Sequence, residues 1–379
     1  MSGNVTYYAH WVQTEYVNYE LYPDPDVSVT MPTEMATVYD GYLYNDGGVV
    51  GTIQVKVSKQ SRTETLSKAT ATIQIIGEKK RTIRGEVLVF INEKGFGYAF
   101  AEVLNDGSYV DLEFWGLYGM SGYFNDYVID GARNLFSSKD KGEKADAEAV
   151  LAPWLGALNM KCPEGVLSVT IAKKGKVTIK GTYKGEKVSA KAQALIGEDM
   201  ICIPVVYSKK SVNLAFTVWL PIGGGDAEMV GFDGAIIGKA GTLKSNAKFR
   251  IEADILADIP SAIDEIDGHK LLPDGESVTA SGKKWAVADG AKAAKVAYKK
   301  GEGLSITPGK KGAGIANASG LKLTYKSKDG SFTGSFTVYA IEKDKLKKHK
   351  ATVSGVLING VGYGTATIKK LGSWAITIE

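Results

Sequence analysis

Apolar and polar residues alternate along most of the chain, in runs of about six to ten residues, which is the pattern of strands with one buried face. Three stretches repeat the same order of such runs. The first holds TIQVKV from Thr52, KATATIQII from Lys68, RTIRGEVLVF from Arg81, FGYAFAEV from Phe96 and YVDLEFW ending at Trp115. The second holds LSVTIA from Leu167, KVTIKGTY from Lys176, KVSAKAQAL from Lys187, MICIPVVY from Met200 and VNLAFTVW ending at Trp219. The third holds LKLTYK from Leu321, FTGSFTVY from Phe332, KATVSGVLI from Lys350, VGYGTATIKK from Val361 and WAITIE from Trp374. The joints carry turn formers, among them Lys174-Gly175, Lys184-Gly185, Asp329-Gly330 and Asn359-Gly360. Short turns of this kind force consecutive strands to run antiparallel.

The pattern therefore predicts an all-β chain of three repeated antiparallel meander units, with short helical or irregular linkers. One further strand precedes the first two units. Tyr39–Tyr44 and Trp154–Met160 both place an aromatic residue, a glycine and a leucine at alternate positions. With that strand each unit closes as a small barrel or folds as a sandwich, and periodicity does not separate the two. Residues 36–140 are expected as the first unit, 141–245 as the second, 246–285 as a linker and 286–379 as the third. Lys141–Leu151 reads as a short helix leading the second unit, with good helix formers and Pro153 just beyond. Asp-Gly-Ala recurs at Asp130, Asp233 and Asp289 and reads as a reused turn. The acidic cluster Asp254, Asp258, Asp264, Glu265 and Asp267 reads as a solvated linker rather than a cation loop.

Composition narrows the function. The 379 residues carry 46 basic and 42 acidic side chains, a near-balance that argues against a dedicated nucleic-acid binder. No apolar run is long enough for a membrane-spanning helix. Met1–Asn18 lacks the charged head and apolar stretch of a secretory signal. Two cysteines, Cys162 and Cys202, fall in one unit and allow a single disulfide, the alternative being two buried thiols.

Chemistry is sparse. His10, His269 and His349 sit in no recognisable catalytic motif, and no nucleophile elbow, phosphate loop or zinc-binding helix motif is present. No metal or cofactor is expected. Glu86, Glu102, Asp111 and Glu113 lie in strands of the first unit, on what alternation reads as an outer face. Glu102 and Glu113 have no counterparts in the other units, so a hydrolase with dispersed carboxylates would be sought there. Tryptophans recur at Trp115, Trp154, Trp219 and Trp374, as core packing or as an exposed platform. Trp115, Tyr118, Tyr123, Phe124 and Tyr127 stand out as contact candidates, because Tyr118–Tyr127 mixes aromatics with Gly, Ser and Asn as adaptable binding loops do. The lysines at 343, 345, 347, 348 and 350 read as edge protection against pairing with other chains.

Tyr8-Ala9-His10-Trp11 resembles the closing strand of the internalin-B-type B-repeat, or Listeria–Bacteroides repeat. YDGYLY from Tyr39, GTIQVKVSK from Gly51, YVIDGARNLFSSKD from Tyr127 and GVGYGTATIKK from Gly360 resemble the region that follows such repeats in large surface proteins of Verrucomicrobia–Lentisphaerae-type bacteria. The body of the B-repeat is missing. Residues 1–35 would then be the end of such a repeat, and the resemblance implies an exported, surface-associated protein. Three functions follow as expectations: a non-catalytic structural or adhesive module meeting a glycan or cell-surface protein, a carbohydrate-binding module, or a hydrolase.

Overall fold

The computed structural model describes residues 33–59, 66–92, 95–115, 119–209, 212–281, 284–287, 293–309 and 317–379. Antiparallel strands dominate, as the alternation predicts. The first unit is a closed eight-stranded barrel in simple chain order: β1 (Val38–Asn45), β2 (Gly48–Val57), β3 (Ser67–Ile75), β4 (Arg81–Asn92), β5 (Gly95–Val103), β6 (Tyr109–Trp115), β7 (Gly119–Phe124) and β8 (Tyr127–Arg133). It closes where β8 pairs with β1, and Gly41 stands opposite Gly131 in that seam. A side chain at either glycine would strike the facing backbone and the Met120 methyl, so the two glycines are what lets the seam shut. Inward positions such as Val55, Ala71, Phe100, Leu112 and Ile129 are fully buried and fill the interior. Asp130-Gly131-Ala132, expected as a turn, is thus part of strand β8. The second copy is a turn, at Asp233-Gly234, and the third lies outside the described residues.

The predicted helix α1 (Lys141–Leu151) follows, capped by Asp140, whose carboxylate accepts the N–H groups of Gly142 and Glu143. The second unit then runs through β9 (Gly156–Cys162), β10 (Gly165–Ile171), β11 (Lys176–Tyr183), β12 (Glu186–Gln193), β13 (Leu195–Ile196), β14 (Met200–Lys209), β15 (Val212–Pro221), β16 (Glu228–Val230) and β17 (Ile236–Lys239). Its ladder is split. One sheet has the order β12-β11-β10-β9-β17 and the other β13-β14-β15-β16, around a single apolar core.

The third unit is again a closed eight-stranded barrel. Its strands are β18 (Ala247–Ile251), then, after the small hairpin β19 (Glu265–Ile266) and β20 (His269–Lys270), β21 (Ser277–Ser281) and β22 (Lys284–Val287). A second hairpin, β23 (Lys295–Lys299) and β24 (Gly303–Thr307), precedes β25 (Lys322–Tyr325), β26 (Ser331–Glu342), β27 (Lys345–Ile358), β28 (Val361–Ile368) and β29 (Gly372–Ile378). Residues 246–285, expected as a linker, instead supply β18, β21 and the start of β22. These strands are short and carry few apolar positions, so their period is weak, but β29 needs β18 as its neighbour to close the wall. Asp258 of the acidic stretch accepts the Trp374 indole N–H at 2.8 Å.

The turn chemistry acts as the sequence predicts. Lys184-Gly185 and Asn359-Gly360 both take left-handed backbone at their two positions, the geometry that matches strand twist in a two-residue hairpin.

Candidate functional site

Barrel 1 presents the turns β1–β2, β3–β4, β5–β6 and β7–β8 at one end, and these four turns form a rim. Between three of them lies a cleft of about 400 Å³, lined by Asn45, Ile75, Glu78, Arg81, Phe124, Asn125, Asp126 and Tyr127. Ile75 and Phe124 are buried and make its floor. Arg81 is held over that floor. Its guanidinium carbon sits 5.8 Å from the Phe124 ring centre, and its Nη1 donates to Asp106 and to Ser108, each at 2.9 Å. Asn125 is held equally firmly. Its Oδ1 accepts the Tyr109 N–H at 2.9 Å and its carbonyl accepts the Tyr109 hydroxyl at 2.8 Å. Asn125 itself sits at φ 50°. Asn45 Oδ1 accepts the Gly47 N–H at 3.0 Å within the first turn. Ser108 pulls the Asp106 carboxyl below its usual range, with Arg81 adding to the effect.

Of the contact candidates, Phe124 and Tyr127 meet at this cleft, but Phe124 does so as core, only 1% exposed. Its side chain points inward because it shares a face with Met120 along β7. The Tyr118–Tyr127 stretch, expected as a binding loop, is largely the strand β7 with the two-residue turn Asn125-Asp126. Tyr123 is half-buried on the opposite face, near Tyr44. Tyr118 and the side chain of Trp115 lie outside the described residues. Arg81, Asn45 and Glu78 were not singled out in the sequence, because they belong to turns far apart in the chain.

The carboxylates do not gather. Glu102 follows Tyr98 and Phe100 on the core side of β5, and its carboxyl lies over Gly85, which leaves room by having no side chain. Its assignment to the outer face is therefore corrected. Glu113 alternates with buried Leu112 and Phe114 and so belongs to the opposite face of the wall. Trp154 and Trp374 are core residues, and Trp154 Nε1 donates to the Pro221 carbonyl at 3.0 Å.

Two junctions join the units. At the first, Tyr42, Tyr44, Val49 and Ala132 of barrel 1 pack on Leu195, Cys202 and Trp219 of the second unit. The Tyr42 and Trp219 rings meet edge-on at 6.5 Å. Asp130 is half-buried here and accepts the Tyr44 hydroxyl; desolvation pushes its carboxyl above the usual range and the Tyr44 bond only partly offsets this. The Cys202 thiol is pushed well up by the same burial, then by Asp130. Arg133, itself buried, pairs with Glu143 of α1.

At the second junction, fully buried Asn159 donates through Nδ2 to the carbonyls of Asp329 and Leu357, both at 2.8 Å. The Asn359-Gly360 turn of barrel 3 donates two backbone N–H groups, to Lys239 at 2.7 Å and to Ala240 at 2.9 Å. Val166 packs beside Val356 and Ile358.

Cys162 and Cys202 form no disulfide. Alternation separates them: Cys162 faces the core of the second unit, whereas Cys202 faces away from it, into the first junction. The Cys162 thiol is pushed up to about 11, chiefly by burial. Among the described residues no group of three or more metal-ligating side chains is placed to hold an ion, and no helix is long and apolar enough to cross a membrane. No protein-family model matches the chain, and a search of curated proteins finds no match.

Proposed function

We propose that the chain is a non-catalytic structural and adhesive module of an extracellular bacterial surface protein, holding a contact surface at a fixed distance. One observation carries this reading. The barrel interiors are filled with apolar side chains, and successive units are tied by buried contacts that use specific side chains and turns. A filled barrel contains nothing, so its use lies in its wall and its ends. Buried, hydrogen-bonded junctions are what a spacer needs and what independent catalytic domains do not require. The opposed faces of Glu102 and Glu113 weigh against a glycosidase pair, which needs both carboxyls on one bond. Its partner would be a glycan or a cell-surface protein.

The test couples the full chain to beads and measures their attachment to glycan-coated and cell surfaces, beside a hydrolase screen on polysaccharide and ester substrates. Attachment without turnover, unchanged in a Glu102→Gln, Glu113→Gln double variant, is expected. Turnover that the double variant abolishes would replace the reading with a hydrolase.

A further inference from the structure

We propose that the four-turn rim of barrel 1 is a binding site for a neutral saccharide, seated in the cleft between Asn45, Glu78, Asn125, Asp126 and Tyr127. The pattern of donors and acceptors points to a hydroxyl-rich ligand. Asn45 spends its side-chain oxygen on a backbone N–H of its own turn and Asn125 on that of Tyr109 at the start of β6. What each has left to offer a ligand is its amide NH₂, a double donor. Asp126 and Glu78 supply acceptors, and Asp126 is exposed. A sugar hydroxyl both donates and accepts, so a cleft that sets amide donors beside carboxylate acceptors can satisfy vicinal hydroxyls as a pair.

The charge around the cleft does not call for an anionic ligand. The four turns carry Asp46, Glu78, Asp106 and Asp126 against Lys79, Lys80 and Arg81, a near-balance, and the Arg81 guanidinium is already matched to Asp106 and lies 3.8 Å from Glu78. A near-balanced rim with its one guanidinium already paired gives an anion no net attraction. The half-buried Tyr127 borders the cleft and is the apolar surface on which the C–H face of a pyranose would rest. The parts are also fixed before any ligand arrives. Arg81 is held by two hydrogen bonds and an aromatic face, and Asn125 by two bonds to Tyr109. Side chains already ordered lose less freedom on binding. The site stands whether or not the barrels act as a spacer, since it rests on the turns of one barrel.

The full chain, fluorescently labelled, is applied to an array of neutral and acidic glycans, and the strongest neutral hit is titrated by calorimetry. Asn45→Asp and Asn125→Asp each keep the turn-holding oxygen but exchange the donor for an acceptor. Each is expected to weaken binding about tenfold, the value of one lost hydrogen bond in a partly dry site, with melting unchanged. Asp126→Ala, on an exposed turn, gives the same readout if either asparagine variant fails to fold. Retention of no neutral glycan, preference for acidic glycans, or affinity unmoved in the folded variants would each overturn the assignment.

Discussion

The two junctions join neighbouring units by opposite means. The junction between barrel 1 and the second unit is made of side chains: two tyrosines, a tryptophan, a leucine and a cysteine beside a half-buried carboxyl. The junction between the second unit and barrel 3 is made largely of backbone. There a hairpin turn and two carbonyls of barrel 3 are matched by Asn159 and by the carbonyls of Lys239 and Ala240. Side-chain packing tolerates partial loss, because neighbours relax into the gap. A buried backbone group has one partner, and removing that partner strands it. The first junction should therefore give gradually and respond to pH. The second should fail abruptly when one residue changes.

Asn159→Ala tests this difference most strongly. It strands the carbonyls of Asp329 and Leu357 and is expected to cost about 3 kcal/mol, read from urea unfolding. A loss no larger than that of an exposed substitution would mean that water replaces the amide, and the contrast would fall. Trp219→Ala at the other junction removes a half-buried ring from Tyr42 and is expected to cost about 2 kcal/mol. Gly360→Ala follows. Residue 360 holds φ +84°, and an added Cβ would press on the Thr242 carbonyl, so the variant should lose about 1 kcal/mol.

The smallest effect is the pH response. Asp130 has its carboxyl raised by burial, so the folded chain holds that proton more tightly than the unfolded chain does. Its contribution is full below the ordinary carboxylate value, declines as pH rises through the raised folded value, and stays low above it. Asp130→Asn removes this decline. Asp40 is also raised by burial, so the informative quantity is the difference between native chain and variant. The melting temperature of the variant, taken relative to the native chain at the same pH, should rise between pH ~4 and ~7. The same difference at both pH values would show that Asp130 does not titrate at the junction.

The same contrast marks what the sequence makes legible. Local signals carried through: the alternation in the three meanders, the Lys-Gly and Asn-Gly turns, and the helix between Asp140 and Pro153. Long-range signals did not. β18, β21 and β22 are too short to show a period, yet barrel 3 cannot close without them. Barrel 1 closes its five-strand meander with two following strands and one preceding strand, whereas barrel 3 draws all three closing strands from before it. Phe124 looked like a contact residue because its neighbours are Tyr123 and Asn125, but strand alternation sends it inward. The cleft was illegible for another reason. Asn45, Arg81 and Asn125 meet only because three hairpins end at the same height on one barrel.

The account stands or falls on whether the junctions hold the three units as one body. Spin labels at Arg84→Cys on barrel 1 and Lys369→Cys on barrel 3, both exposed, address it directly, since Cys162 and Cys202 are buried and would stay unlabelled. Pulsed-dipolar measurement should give one narrow distance distribution in the native chain and a broadened one after Asn159→Ala. A broad distribution in the native chain would contradict the account, because the barrels would then move independently and the buried junctions would not hold them.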